Sequence, residues 1–182
     1  MIPVLVARAK SIKNVVGNNM KDKIIIVDER DNEIDCKDRQ TLSEECIYRV
    51  SALWIRNNKD EILLAKRALS KSHSPGKWGP AVAGTVDEGE NYRVNILKEA
   101  KEEIGLENVD PRIGPKERVS GRYNYFVQWY LLTIDKPLSE FAINHKEVDE
   151  VKWFSKDELL GELENNPDNF LRTMERWVEL FC

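Results

Sequence analysis

Residues 84–106, GTVDEGENYRVNILKEAKEEIGL, constrain this chain more than any other stretch. Glu99, Glu102 and Glu103 stand at positions i, i+3 and i+4. On a helix that turns about 100° per residue they share one face. Like charges crowded in this way destabilise a helix unless a cation sits among them. A hard divalent cation, Mg²⁺ or Mn²⁺, suits the place, because it takes oxygen ligands and keeps positions for water and phosphate. Val94, Ile96, Leu97, Ala100 and Ile104 occupy a different side and predict an apolar stripe against a core. Before the helix, Gly84 and Gly89 predict a loop whose backbone can approach a ligand closely. The competing reading is an ordinary turn and a solvated acidic helix end, the usual fate of a charge run.

The remaining chain reads as strands around this helix. Lys23–Asp28 and Glu33–Asp35 predict a hairpin, and 46–55 and 61–67 predict two strands joined by the turn Asn57–Asp60. Residues 68–80 predict a long loop of the kind that often carries function. Ala81–Val86 predicts a strand feeding the acidic stretch. With its two prolines, 109–116 predicts irregular chain, followed by strands at 118–120, 123–135 and 149–154. Ser155 with Glu158 predicts a capped helix to Leu163. A last helix over about 167–181 turns Phe170, Met174, Trp177, Val178 and Phe181 inward. This order indicates an α/β (α+β) layered domain at 23–182, preceded by an extension at 1–22.

Composition removes several function classes. A net charge of −4 offers no basic stripe for nucleic acid, so none is expected as a partner. Cys36, Cys46 and Cys182 are odd in number and widely spaced, which predicts a cytoplasmic protein without a disulfide framework. His73 and His145 are too separated to suggest a zinc centre. No segment reaches membrane-span length.

The full spacing decides between the two readings of the acidic helix. From Gly84, Glu90 follows after five residues and Lys98-Glu99 after seven more, then Ala100, Glu102-Glu103, Gly105 and Leu106. This resembles the Nudix box, G-x5-E-x7-R-E-U-x-E-E-x-G-U, where U is bulky and apolar. The resemblance implies a mixed sheet sandwiched between helices over roughly 46–163. It implies that Glu99, Glu102, Glu103 and the Gly84 carbonyl hold Mg²⁺ or Mn²⁺, and that Glu90, Lys98 and Gly105 keep the box in shape. Two positions depart from the pattern. Lys98 replaces an Arg that pairs with the box glutamates, keeping the charge but losing the planar fork. It is therefore expected to hold Glu90 or Glu102 less rigidly. Ala100 is a small version of the apolar position.

A second resemblance covers 23–90. VDERDNEI, IYRVSALWI, LLAKRALSKSHSPGKWGP and AVAGTVDEGE are similar in order and length to type I isopentenyl-diphosphate isomerase, a member of the same superfamily. That chemistry needs a cysteine where this chain has Ala83, and metal-binding histidines where it has Thr85 and Tyr48. It also needs a second catalytic carboxylate in the region of Arg122–Phe126, which contains no acid.

The resemblance therefore implies metal-assisted hydrolysis of a diphosphate linkage in a nucleoside diphosphate joined to another group. An isomerase-like enzyme and a non-catalytic nucleotide-binding module are the alternatives. A general base must take a proton from water; Glu99 and Glu103 are the first candidates, Glu147 and Glu150 the second. Arg49, Arg67, Lys77 and Arg122 are candidate phosphate contacts, with Arg67 favoured by its place at a strand end. Among the aromatic residues Trp54, Trp78, Tyr123, Tyr125 and Trp129, Trp78 is favoured to stack on substrate, because it lies in the long loop. Strand alternation puts Tyr123, Tyr125, Val127 and Trp129 on one face, suited to a core or a homodimer surface.

Overall fold

The computed structural model describes residues 23–182; the expected extension at 1–22 lies outside them. Runs rich in β-branched residues form strands, as they do where a pleated surface is half covered. They begin with β1 (Lys23–Val27) and β2 (Glu33–Asp38), then β3 (Ile47–Arg56), β4 (Ile62–Arg67), β5 (Trp78–Pro80) and β6 (Val82–Thr85). Helix α1 (Tyr92–Ile104) follows, then β7 (Arg112–Val119), β8 (Asn124–Thr133) and β9 (Val148–Phe154). Helices α2 (Lys156–Asn165) and α3 (Met174–Phe181) close the described chain.

Strand β3 organises the sheet. Along one edge it runs parallel to β8, from Ile47 opposite Asn124 to Arg56 opposite Thr133. Along the other edge it takes three partners in turn: β1 at Ile47 and Tyr48, β6 from Val50 to Leu53, and β4 at Ile55 and Arg56. Beyond Leu63 the edge of β4 that faced β3 pairs with β5, while β9 runs along its other edge from Ile62 to Arg67. The sheet therefore parts between β5 and β6, and the chain steps from one lip to the other at Ala81. That opening is the cleft described below.

Period-two alternation along β3 supplies both cores. Leu53 and Ile55 pack with Ile96, Ala100 and Ile104 of α1. Ala52 and Trp54, on the opposite face, pack with Leu159 of α2 and Met174, Trp177 and Val178 of α3. Burial of each large aliphatic side chain contributes about 1.5–3 kcal/mol. The result is the expected mixed sheet between helices.

Helix α1 starts where Asn91 accepts a hydrogen bond from the Val94 amide (2.9 Å) and stops at Gly105, at φ 65°. A Cβ at Gly105 would stand 2.5 Å from the Ala142 Cβ, so both dihedral and space require glycine. The Ser155 hydroxyl accepts from the Glu158 amide (3.1 Å), the expected cap of α2.

Three expectations need correction. The α1 stripe is turned: Val94 is exposed, whereas Asn95 is fully buried. The segment 109–116 contains the start of β7, whose one proline, Pro115, is accommodated by a bulge. The register slips between Ile113 and Lys116, and Gln128 Nε2 donates to the freed carbonyls of Gly114 (2.9 Å) and Pro115 (3.3 Å). The last helix begins only at Met174, after a 3₁₀ turn at Pro167–Asn169. Phe170, Met174, Trp177 and Val178 are nonetheless buried, as their spacing predicts.

Candidate active site

Helix α1 delivers Glu99, Glu102 and Glu103 to one cleft of about 1150 Å³, with Gly84 on the facing strand β6. A Cβ on Gly84 would stand 2.4 Å from Glu99 Cγ and Cδ. Only glycine lets strand and helix approach this closely. Glu103 Oε2 accepts from the Ala83 amide at 3.4 Å. Burial, reinforced by the neighbouring Glu99 charge, pushes Glu103 up to about 8. Burial also raises Glu99, with Lys98 opposing and Glu102 adding to the rise.

This crowding is a test of whether a cation fits. Glu99 and Glu103 repel one another in a largely dehydrated place beside the exposed Glu102, and all three offer only hard oxygen donors. Among the described residues no group of three His, Cys, Asp or Glu side chains is placed to hold a metal ion by itself. Mg²⁺ does not require one, since it binds through one or two carboxylates together with water and phosphate. The donor set fits such an ion.

A hydrogen-bonded clamp holds the carboxylates from behind. Lys98 Nζ lies 2.8 Å from Glu90 Oε1, 2.7 Å from Asp87 Oδ2 and 3.6 Å from Glu99 Oε1. Of the two expected partners it takes Glu90. Burial acts to lower Lys98, but Asp87 and Glu90 outweigh it and hold the ammonium above its ordinary range. Burial acts to raise Glu90, but hydrogen bonds from Lys98 and Asn95 outweigh it and hold the carboxylate below its ordinary value. Asn95 Nδ2 reaches Glu90 Oε2 (2.9 Å), the Thr85 carbonyl (3.0 Å) and Glu99 Oε1 (3.3 Å), while its Oδ1 accepts from Ser51 Oγ (2.5 Å). Sequence reasoning missed Asn95. The available signal was an amide on the inward side of α1, one turn before Glu99.

The opposite lip carries Glu147, ion-paired with Lys71, and both line the cleft. Glu150 is exposed on β9 opposite Lys66, outside the lining. Arg67 lines the cleft and donates through Nε to the His73 carbonyl (2.9 Å). Arg122 lines it as well. Arg39, which sequence reasoning passed over, reaches Thr85 Oγ1 (3.2 Å) and Asp87 (3.5 Å) from the rim.

Some expected contacts lie elsewhere. Arg49 points to the α1 side, where it binds Asp31 (2.8 Å) and covers the Tyr92 ring. Lys77 is not part of the lining. Trp78 opens β5 and sits edge-on to Phe154 with ring centroids 5.2 Å apart, packed against the α2–α3 core. Pairing of β5 with β4 ends the long loop before Trp78 and turns its ring away from the cleft. At the three positions where an isomerase needs Cys and His, Ala83 and Thr85 line the cleft, and Tyr48 stacks on Tyr125.

The NUDIX domain family matches residues 47–174, from the start of β3 to the start of α3. The chain belongs to this family. It is 28% identical to an uncharacterized Nudix hydrolase of Yersinia pestis, over 84% of this chain and 84% of the relative. It is also 28% identical to an isopentenyl-diphosphate Delta-isomerase of Aliivibrio fischeri, over 83% of this chain and 90% of that one. A crystal structure of a Deinococcus radiodurans protein shares the fold, with a TM-score of 0.73 and 23% identity, over 86% of this NUDIX chain and 97% of the other. Among the described residues no helix is long and apolar enough to cross a membrane.

Proposed function

We propose that this NUDIX chain is a divalent-metal-dependent hydrolase that cleaves a diphosphate linkage in a nucleoside diphosphate joined to another group. One observation carries the reading: the box carboxylates Glu99, Glu102 and Glu103 meet Gly84 in a cleft whose rim holds Arg39, Arg67, Lys71 and Arg122. Glu99, Glu102, Glu103 and the Gly84 carbonyl would hold Mg²⁺ or Mn²⁺. Such an ion would supply positive charge against the negative charge that develops on the diphosphate and would make water easier to deprotonate.

The residues supply the rest. Arg67 draws the diphosphate into an otherwise acidic cleft and orients it. Glu99 and Glu103, both carried into the cleft by α1, are the first candidates for the proton acceptor. Glu147, held by Lys71 on the opposite lip, is the second candidate. Lys98 and Asn95 fix Glu90 and Glu99 so that no reorganisation is needed at the moment of reaction.

The isomerase relatives favour a second reading, but Ala83 has no proton to give, and Thr85 and Tyr48 replace metal-binding histidines. A panel of nucleoside diphosphate conjugates with Mg²⁺ separates the readings. Release of two phosphate-bearing products supports hydrolysis. Conversion of isopentenyl to dimethylallyl diphosphate supports the isomerase, and binding without turnover supports a non-catalytic module.

A further inference from the structure

The cleft is much larger than a diphosphate with its cations requires, and its far wall is aromatic. Tyr48 and Tyr125 sit side by side on β3 and β8, in register, with ring centroids 5.7 Å apart and planes tilted by 31°. Tyr123, just before β8, is 41% exposed. Its ring is flanked by the Arg122 guanidinium at 5.6 Å and by the edge of His73 at 5.5 Å. All five side chains line the cleft. None of the three tyrosine hydroxyls is hydrogen-bonded to another described residue. Burial, with the neighbouring Tyr125 and Tyr123, pushes Tyr48 up to about 12, so its hydroxyl stays a donor at neutral pH.

The position relative to the carboxylates is set by β-sheet geometry. Gly84 pairs with Ser51, three residues along β3 from Tyr48. At about 3.3 Å per residue the backbone of the aromatic wall begins roughly 10 Å from that pairing, with Tyr48 on the face of β3 opposite to that of Ser51, and the cleft is lined from both faces. One pentose and a diphosphate bridge a gap of that order. The wall combines π faces, free hydroxyls and a guanidinium. An alkyl chain would leave those polar groups unpaired, at a cost. A planar ring with a hydrogen-bonding edge satisfies both faces and hydroxyls.

We infer that Tyr48, Tyr123 and Tyr125, with Arg122, form the subsite for the nucleobase of the substrate. This rests on the diphosphate reading of the box, but its test is separable because binding needs no cleavage. The probes are α,β-methylene-ADP and α,β-methylene-UDP, which present an uncleavable diphosphate with a base, and methylene diphosphonate, which presents it without one. Each is titrated calorimetrically into the wild-type chain with Mg²⁺. At least one nucleoside analogue is expected to bind more tightly than methylene diphosphonate. Tyr123→Ala, at an exposed position, should erase about 5- to 150-fold of that difference, and Tyr123→Phe should retain most of it. The subsite is overturned if methylene diphosphonate binds as well as both nucleoside analogues, or if Tyr123→Ala leaves their advantage intact. It is also overturned if isopentenyl diphosphate binds more tightly than either nucleoside analogue. Base-dependent binding without hydrolysis of any conjugate would leave the subsite standing and remove the proposed activity.

Discussion

Glu103 gathers the tension of the site in one carboxyl group. It is buried, faces Glu99, and is pushed up to about 8 from an ordinary value of 4.5. The folded metal-free protein therefore keeps a proton that the unfolded chain has already released. Native stability should fall as pH rises from about 4.5 through about 8. Melting temperatures without metal, taken at about pH 5.5 and 8.5, should drop more for the wild type than for Glu103→Gln, which cannot ionise. Mg²⁺ should restore the wild type more at the higher pH, since its ligands must be deprotonated. In activity, Glu103→Gln should lower metal-dependent turnover by at least about 100-fold while the fold is kept, as circular dichroism would register. Asn95 makes a second claim at this scale. Asn95→Ala strands Glu90, Glu99 and Ser51 partners and should cost about 1–3 kcal/mol in denaturant unfolding. If Asn95 and Lys98 divide between them the work of a forked guanidinium, Lys98→Arg should recover part of that loss. Independent, additive effects would contradict the shared role.

Between elements, the decisive contact is that of β6 with α1, and its gauge is Gly84. Gly84→Ala places a methyl on Glu99 and should force the strand off the helix. We expect a loss of activity beyond the loss of stability, measured as turnover at a temperature where the variant is fully folded. Gly105→Ala should behave oppositely. It combines a φ of 65° with a clash on Ala142, so unfolding free energy should fall by more than about 1 kcal/mol, with turnover per folded molecule little changed. The sequence was readable here to an uneven degree. Acidic and apolar spacing marked α1, and apolar runs marked β1, β3 and β4. β7 was hidden because its proline resides in a bulge, which a local reading takes for irregular chain. Trp78 was misplaced because three residues of β5 carry no alternation to reveal which way the ring points. Arg39 and Lys71 lie in polar loops, where no period predicts direction; only the folded sheet brings them to the box.

The whole molecule is a sheet that splits, and its proposed chemistry depends on the split. One lip, β6 with α1, carries the carboxylates; the other, β4 with β9 and the chain around it, carries Arg67, Lys71 and Glu147. An acidic protein thereby places cations on the rim through which the proposed diphosphate would enter. Raising ionic strength should therefore raise KM more than it lowers kcat, because screened rim charges steer and hold substrate. The central claim is hydrolysis at the metal-bearing box. It is tested most directly by incubating the protein with Mg²⁺ and the conjugate panel in ¹⁸O-labelled water, with mass analysis of the products. The account predicts two phosphate-bearing products, one of them carrying a single ¹⁸O, and neither formed by Glu103→Gln. Absence of labelled product from every conjugate, together with isomerisation of isopentenyl diphosphate, would contradict it.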